Sequence, residues 1–321
     1  MGAANLTLMS DSLRRRIIDL AAHDRVRSLI ESSPGSRELL GRFIVGDTLY
    51  DALEAVRDLR VTGRAATVCY LGPDGVDAEH RAETVREYQA LVQSAAKEGL
   101  TASGDLDVSL RLSALGVVGR VFDREAILEA ARLIARSAAN AGVTLTLDVE
   151  GPQTVAEMLR VHAELRADVP DVGITIASCL RRSEEDCRRL AAQAARVRLC
   201  KGAFSVSEVE GWRGADVDLA FVRCLRILLA GSGQVLIATH DPRLLEIAAA
   251  LVRETGRDPA TVEYQMYLGV RPLGQTSIAD RGDRCRVYIP YGSAWYSYLM
   301  QRVADRPASA GFLARSVLTQ R

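Results

Sequence analysis

The chain carries no excess of charge: over 321 residues, 41 Lys and Arg balance 41 Asp and Glu. A balanced chain has no long-range field to draw it to nucleic acid or to an anionic membrane, so nucleic acid is set aside as a partner. No stretch approaches the ~18 uninterrupted apolar residues that a membrane-crossing helix needs, which excludes an integral membrane segment. The opening residues, Met1 to Asp11, lack a basic flank followed by an apolar stretch. No secretory signal is read there, and the expected compartment is the cytoplasm. The six cysteines (Cys69, Cys179, Cys187, Cys200, Cys224 and Cys285) include no C-x-x-C pair, and no His stands near them at zinc-ligand spacing. That counts against a zinc site or a disulfide framework, and no other metal is expected. Four of the six lie in apolar, strand-like runs and read as free, reduced, buried thiols. A glycine-rich phosphate loop between a strand and a helix is also missing. Gly231-Ser232-Gly233 comes before a strand and reads as a turn. Internal repeats and low-complexity tracts are absent.

What the chain does have is an apolar content of 48%, enough for one large core. It also has a regular alternation of patterns. Short β-branched runs occur at 66–72, 106–113, 143–150, 172–178, 196–202, 234–240, 262–269 and 286–292. Most are continuously apolar or carry a polar residue near the end, as strands do when helices cover one side and a filled barrel lies on the other. Helical patterns rich in Ala, Leu, Arg and Glu separate them, for example at 124–140, 155–166, 184–195, 217–229 and 243–254. Apolar residues recur there three and four apart, and several begin at an Asp or Ser suited to capping. Eight such units predict an α/β protein with a closed, TIM-like (β/α)8 barrel. An open doubly wound sheet is the alternative. The expected organisation is a helical segment over 1–62 that caps the barrel or folds against its side, the barrel over 63–306 with a last helix over its top, and a tail over 307–321.

In such a barrel the chemistry sits at the C-terminal ends of the strands. Those ends carry Arg111 and Ser113, Asp148 and Glu150, Arg198 and Lys201, Thr239 and His240, Gln265 and Tyr267, and Tyr288 and Tyr291. A rim with Arg, Lys and His at neighbouring strand ends suits an anionic ligand such as a phosphate-bearing cofactor. Each residue alone has a plainer reading. Asp148 could cap a helix, Glu150 could pair with a nearby cation, His240 before Asp241-Pro242 could belong to a turn, and the tyrosines could be core. Lys201 also stands where a Schiff-base lysine can sit. The coincidence of all of them at one end favours a site.

The residues then resemble a known family. Arg42-Phe43-Ile44-Val45-Gly46-Asp47-Thr48 is similar to the early R-F-V-A-G-E-T stretch of proline dehydrogenases. Arg111-Leu112-Ser113-Ala114-Leu115-Gly116 is similar to their K-L-S-A-L-G strand end, and Leu147-Asp148-Val149-Glu150 to their D-x-E. Arg198-Leu199-Cys200-Lys201-Gly202-Ala203-Phe204 resembles R-L-V-K-G-A-Y. Ala238-Thr239-His240-Asp241 resembles A-T-H-(N/D), and Glu263-Tyr264-Gln265-Met266 resembles E-F-Q-M. Arg286 to Gly292, followed by Tyr298 to Arg302, resembles R-V-Y-x-P-x-G and then Y-L-x-R-R. The likeness runs in order from about 38 to 310 and extends to the barrel of the bifunctional proline utilisation proteins.

This resemblance implies FAD at the top of the barrel and oxidation of the C–N bond of L-proline, or a close analogue, by hydride transfer to flavin N5, giving Δ1-pyrroline-5-carboxylate in the family. Arg198 would lie near N5, and Lys201, Thr239 and His240 would hold the ribityl and pyrophosphate parts. Gly202, Ala203 and Gln265 complete the implied cofactor set. Asp148 would accept a hydrogen bond near the ring or the substrate, and Arg198, Asp148 and Tyr288 form the implied catalytic group. Tyr288 and Tyr298 would shape a pocket for a five-membered ring. Arg302 would grip a carboxylate in a bidentate manner. The resemblance further implies a small amino-acid-like substrate, a quinone or oxygen as electron acceptor, and a cytoplasmic protein with peripheral attachment at the inner membrane as the variant.

Three departures fall on the implied site. The family's substrate-binding Lys on the second strand is Arg111, the first Arg of its terminal pair is Gln301, and its fourth-strand Gln aligns with Ala177. Losing a guanidinium from a carboxylate contact costs on the order of 1.5–3 kcal/mol per charge-assisted bond. Arg111, with a longer planar head, compensates in part. A second reading is therefore a related flavoenzyme of specialised metabolism that oxidises another cyclic imino acid, an amine or a hydrazine, free or carrier-bound. A third is a non-catalytic barrel.

Overall fold

The computed structural model describes residues 43–72, 77–117, 122–202, 204, 206–296, 298 and 300. The described chain opens on helix α1 (Leu49–Val61) and then runs β1 (Ala65–Tyr70), α2 (Ala78–Lys97), β2 (Leu106–Arg111), α3 (Arg124–Asn140), β3 (Thr144–Asp148), α4 (Val155–Asp168) and β4 (Gly173–Ala177). It continues through α5 (Ser183–Ala192), β5 (Arg196–Cys200), α6 (Ala215–Ala230), β6 (Val235–Ala238), α7 (Pro242–Glu254), β7 (Val262–Tyr267), α8 (Pro272–Asp280) and β8 (Cys285–Tyr291). The eight strands form a closed barrel in sequence order, and the β1–β8 pairing that closes it is parallel like the others. The open-sheet alternative is thereby excluded.

Each strand stops about two residues short of the run read from sequence. The polar strand ends leave the ladder for turns: Leu112–Leu115 winds into a 3-10 helix, and Gly202 turns with φ +88°, a backbone that favours glycine. Aspartates cap as expected: Asp77, Asp123 and Asp241 each accept a bond from the backbone of the first turn. At the start of α5 the residue at the cap is Arg182 and no side chain caps the helix.

Of the segment expected to be helical over 1–62, α1 lies among the described residues. A capping box of Thr48 and Asp51 starts it. It packs against β1 and β8, at the side of the barrel where the closing strands meet. That is where a helix following β8 would otherwise pack. The last helix and the tail lie largely outside the described residues; helical backbone is seen at Trp295, Tyr296, Tyr298 and Met300. Among the described residues no helix is long and apolar enough to cross a membrane.

The strand interior corrects one expectation. Outward positions such as Val108, Leu110, Leu145, Leu147, Ile174, Val197, Leu199, Ile237 and Ile289 form one apolar cluster with the helices. The inward positions, expected to be mainly apolar filling, are largely polar. Asp107, Ser109, Thr146, Thr175, Arg196, Arg198, Glu263, Gln265 and Arg286 are all buried. Arg286 donates to Glu263 through Nε (2.6 Å) and Nη2 (2.9 Å). Arg196 reaches Asp107 (3.0 Å) across the barrel. Gly173 makes room for that crossing, since a Cβ there would stand 2.8 Å from Arg196 Nη1.

A pH dependence follows from these charges. Burial alone would raise Glu263, but the Arg286 guanidinium overrides it and holds the carboxyl at about 2. Asp107 is likewise held low against burial, by Arg196 and Arg198. For a depressed carboxyl, stability is present above the unfolded value near 4.5 and is lost as pH falls toward 2. The thermal midpoint is therefore expected to drop steeply over that window. Glu263→Gln should flatten the drop, which melts at a series of pH values will check.

The cysteines are free as read, but three of them, Cys69, Cys200 and Cys285, lie in strands rather than four. Cys69, Cys179, Cys187, Cys224 and Cys285 are buried, and Cys200 is partly so. Cys179 follows β4, and Cys187 and Cys224 lie in helices. Burial pushes the Cys179 thiol up to about 12 and Cys285 to about 11. Native protein at pH 8 is expected to resist thiol reagents at every cysteine but Cys200. Mass spectrometry before and after unfolding will show this.

Candidate active site

The site is built upward from the barrel floor. Asp107 is fully buried and takes bonds from three other strands. Its Oδ1 accepts from Thr144 (2.7 Å), Thr146 (3.0 Å) and Arg196 (3.0 Å). Its Oδ2 accepts from Thr67 (3.0 Å) and Arg198 (3.0 Å). Arg198 stands on this carboxylate, two residues further along β5. Its Nε donates to Gln265 Oε1 (2.6 Å), and Nη1 donates to Ser109 Oγ (2.8 Å) and Asp148 Oδ1 (2.7 Å). Nη2 donates to Asp107 and, at 3.5 Å, to Thr67. A guanidinium has five N–H donors, and all five have protein acceptors here.

Asp148 closes the upper layer. It accepts the Tyr288 hydroxyl on Oδ2 (2.7 Å) and Thr175 on Oδ1 (3.2 Å). It binds Arg198 rather than capping a helix, which removes the plainer reading. Burial, together with Asp148, pushes the Tyr288 phenol far above its ordinary range, so Tyr288 remains the donor. Its ring meets Tyr267 edge-on at 5.1 Å, and Tyr267 stacks on His240 at 5.4 Å. Cys69, Leu71 and Tyr288 form a small apolar cluster against which Tyr267, Trp295 and Tyr298 pack. The tyrosines are thus both core and wall of the barrel mouth.

Arg111 ends β2 beside Asp148, its register partner on β3. Its Nε is buried and has no hydrogen-bond partner among the described residues. Glu150 accepts from the Ser113 backbone N–H (2.9 Å) and from the Ser113 hydroxyl. Burial raises Glu150, and the nearby charge of Arg111 pulls it back. Glu150 is therefore held by Ser113 with Arg111 as its electrostatic neighbour.

The expected cationic rim is not open. Lys201 Nζ lies 2.5 Å from Asp218 and 3.1 Å from Asp241. That is the opposite of the desolvated setting that makes a lysine a nucleophile, and it counts against a Schiff-base role. Thr239 is buried, and its hydroxyl accepts from the Asp241 N–H (3.2 Å). His240 Nε2 accepts from the Tyr267 N–H (2.8 Å), so the ring proton sits on Nδ1. Gln265 points into the barrel, bridging Arg198 and Glu263 (Nε2 to Oε1, 2.6 Å). Gly202 could carry no side chain without meeting Cys179 Sγ. Ala177 packs with Cys179, Leu180 and Val206, an apolar patch where the family has a Gln. Ala203, Gln301 and Arg302 lie outside the described residues.

Reading strand ends alone missed Asp107, Arg196, Glu263 and Arg286. A signal was present. In Leu106–Arg111 the polar residues fall at 107, 109 and 111, and in Val262–Tyr267 at 263, 265 and 267. Polar residues at period two in a barrel strand mark an interior that is itself polar.

Known proteins resemble this chain along most of its length. A family model described as proline dehydrogenase matches residues 52–315. The chain is 29% identical over 307 residues to proline dehydrogenase 1 of Bacillus subtilis, covering 95% of this chain and 99% of that protein. It is also 29% identical to the proline dehydrogenase of Deinococcus radiodurans over 315 residues, covering 97% and 99%. Among solved structures it is similar to proline utilization A from Bdellovibrio bacteriovorus, inactivated by N-propargylglycine. The TM-score is 0.79 at 22% identity, over 91% of this chain and 36% of that longer one. At that identity the likeness speaks for the fold.

Proposed function

This chain belongs to the proline dehydrogenase family, and we propose that it is an FAD-dependent oxidoreductase that oxidises the C–N bond of L-proline or a close cyclic analogue. One observation carries the reading. At the mouth of one barrel, Asp148 joins Arg198 and Tyr288, while the neighbouring strand end presents Arg111 with a buried N–H that lacks an acceptor among the described residues. A buried donor left unmet costs about 1–3 kcal/mol, so a ligand that supplies an acceptor recovers it. A carboxylate does so, as does a carbonyl oxygen of a flavin ring.

The residues present fit a flavin. Lys201, Thr239 and His240 bring a cation, a hydroxyl and an imidazole to the strand ends where its phosphate and ribityl parts would lie. Gly202 keeps the loop beyond β5 free of a side chain. The flavin, when bound, supplies the two-electron acceptor for a hydride leaving the carbon next to nitrogen. The protein's own share is binding and polarisation. Arg111 binds the substrate carboxylate. Tyr288 and Arg198 hold Asp148 in place with its charge directed at the mouth. Tyr288, Tyr298 and Trp295 form an apolar wall that excludes water from a five-membered ring. Arg198 has no unclaimed N–H, so its cation acts on a bound ring through space or through exchange with Asp148, its most exposed partner.

The test is the visible spectrum of the purified protein, recorded before and after anaerobic addition of L-proline. Bleaching of the blue flavin band supports the proposal. A yellow protein that proline leaves unchanged moves the substrate to another cyclic imino acid, amine or hydrazine. A protein that stays colourless after reconstitution with FAD refutes the proposal. Reoxidation by a quinone or by oxygen would complete turnover, and rates with a soluble quinone against those with air separate the two.

A further inference from the structure

Lys201 follows β5 and Asp241 follows β6, and these strands pair through Cys200 and Ala238. Asp218 lies in the first turn of α6 and completes the group together with Arg243 of α7. Lys201 Nζ contacts Asp218 Oδ1 (2.5 Å) and Asp241 Oδ2 (3.1 Å). Arg243 Nη2 contacts Asp218 Oδ2 (3.3 Å) and Asp241 Oδ2 (3.0 Å). Two cations and two carboxylates thus close a ring of zero net charge at the place where a cationic rim was expected. The ring is open to solvent, since Lys201 and Asp218 are each 28% exposed.

The two carboxylates are not equivalent. Asp241 also caps α7, with Oδ1 accepting the Arg243 N–H (3.0 Å) and the Arg243 Nε–H (3.3 Å). Arg243, followed by Lys201, holds Asp241 well below the usual carboxylate range. Asp218 is tied through one contact to Lys201 and one to an Arg243 side chain that is 74% exposed. Asp218 is the member that can leave at least cost.

We propose that this ring is a charge-compensated latch, in which Asp218 competes with the phosphate chain of an anionic cofactor for Lys201 and so lowers cofactor affinity. The inference rests on the flavoenzyme reading above and adds to it a residue that works against binding. Loading the cofactor exchanges one anion on Lys201 for another, so the net gain is smaller than a free lysine would provide.

The test is titration of apo-protein with FAD, followed by flavin fluorescence, in wild type, Asp218→Asn, Asp216→Asn and Arg243→Gln, with riboflavin as the probe that lacks phosphate. Asp218→Asn is expected to bind FAD about tenfold more tightly, roughly 1.4 kcal/mol, with riboflavin affinity unchanged. Asp216 lies in the same helical turn without touching Lys201, and Asp216→Asn should leave both affinities unchanged. Arg243→Gln releases both carboxylates onto Lys201 and should weaken FAD binding several-fold. Asp218→Ser takes the place of Asp218→Asn if the latter does not fold. FAD bound with unchanged or weaker affinity in Asp218→Asn overturns the latch alone, as does an equal gain in Asp216→Asn. If no variant binds any flavin, the flavoenzyme reading falls and the latch with it.

Discussion

Asp107→Ala is expected to destabilise the barrel by about 3–5 kcal/mol, the cost of breaking a buried ion pair from one side. Domains of this kind are stable by only about 5–15 kcal/mol, so the variant should give little soluble protein or a much lower urea midpoint. The cause is specific. Asp107 is fully buried and receives Arg196 and Arg198, each of which is also nearly fully buried. Removing the carboxylate takes from Arg196 its ion-pair partner and leaves Arg198 with Asp148 as its remaining one, where little solvent reaches either guanidinium. Asp107→Asn keeps the shape and one of the two acceptor oxygens and should lose less than Asp107→Ala, which separates the loss of charge from the loss of volume. Equal urea midpoints for wild type and Asp107→Ala would mean that water enters the barrel and solvates the arginines.

The second large effect is on substrate. Arg111→Met keeps most of the side-chain length and removes the charge. Under the proposed reading it should raise KM for L-proline roughly 10- to 150-fold, the equivalent of losing a charge-assisted bond of about 1.5–3 kcal/mol. Because the contact is made in ground state and transition state alike, kcat should change much less. Arg111→Lys restores a point charge, though not the planar head, and should recover part of the loss. A variant that loses kcat and retains KM would place Arg111 at the flavin rather than at the carboxylate. Arg111→Met also removes the cation that offsets the burial of Glu150, so a urea midpoint measured alongside separates a loss of folding from a loss of binding.

Local patterns carried much of the fold. The apolar periodicity of α3 predicts a helix over the same residues, Arg124–Asn140, that form it. All eight strands stand where β-branched runs predicted them. Their ends were read too long, because the end residues leave the backbone ladder: the Ser113 N–H donates to the Glu150 side chain, and the His240 carbonyl accepts from the Arg271 side chain. Of the candidate residues read at strand ends, Arg111 and Asp148 do end their strands, while Arg198 and Tyr288 stand in the middle of theirs and reach Asp148 by their length. The openness of the rim was not legible. Nothing in the sequence near Lys201 announces that Asp218 and Asp241 neutralise it, since each approaches from a different helix.

What the sequence by itself determined is the set of elements and their order, because periods of two and of 3.6 residues depend on neighbours a few positions away, whereas closure rests on β1 pairing with β8. What only the tertiary structure decided is which charges meet. Arg198 and Asp107 are 91 residues apart, and Arg286 reaches the backbone of Gly104 across 182. Such pairs exist only once the strands close into a ring, which brings inward side chains of opposite walls within hydrogen-bonding distance. The same closure turns an arginine that reads as a free rim cation into one whose every donor is taken.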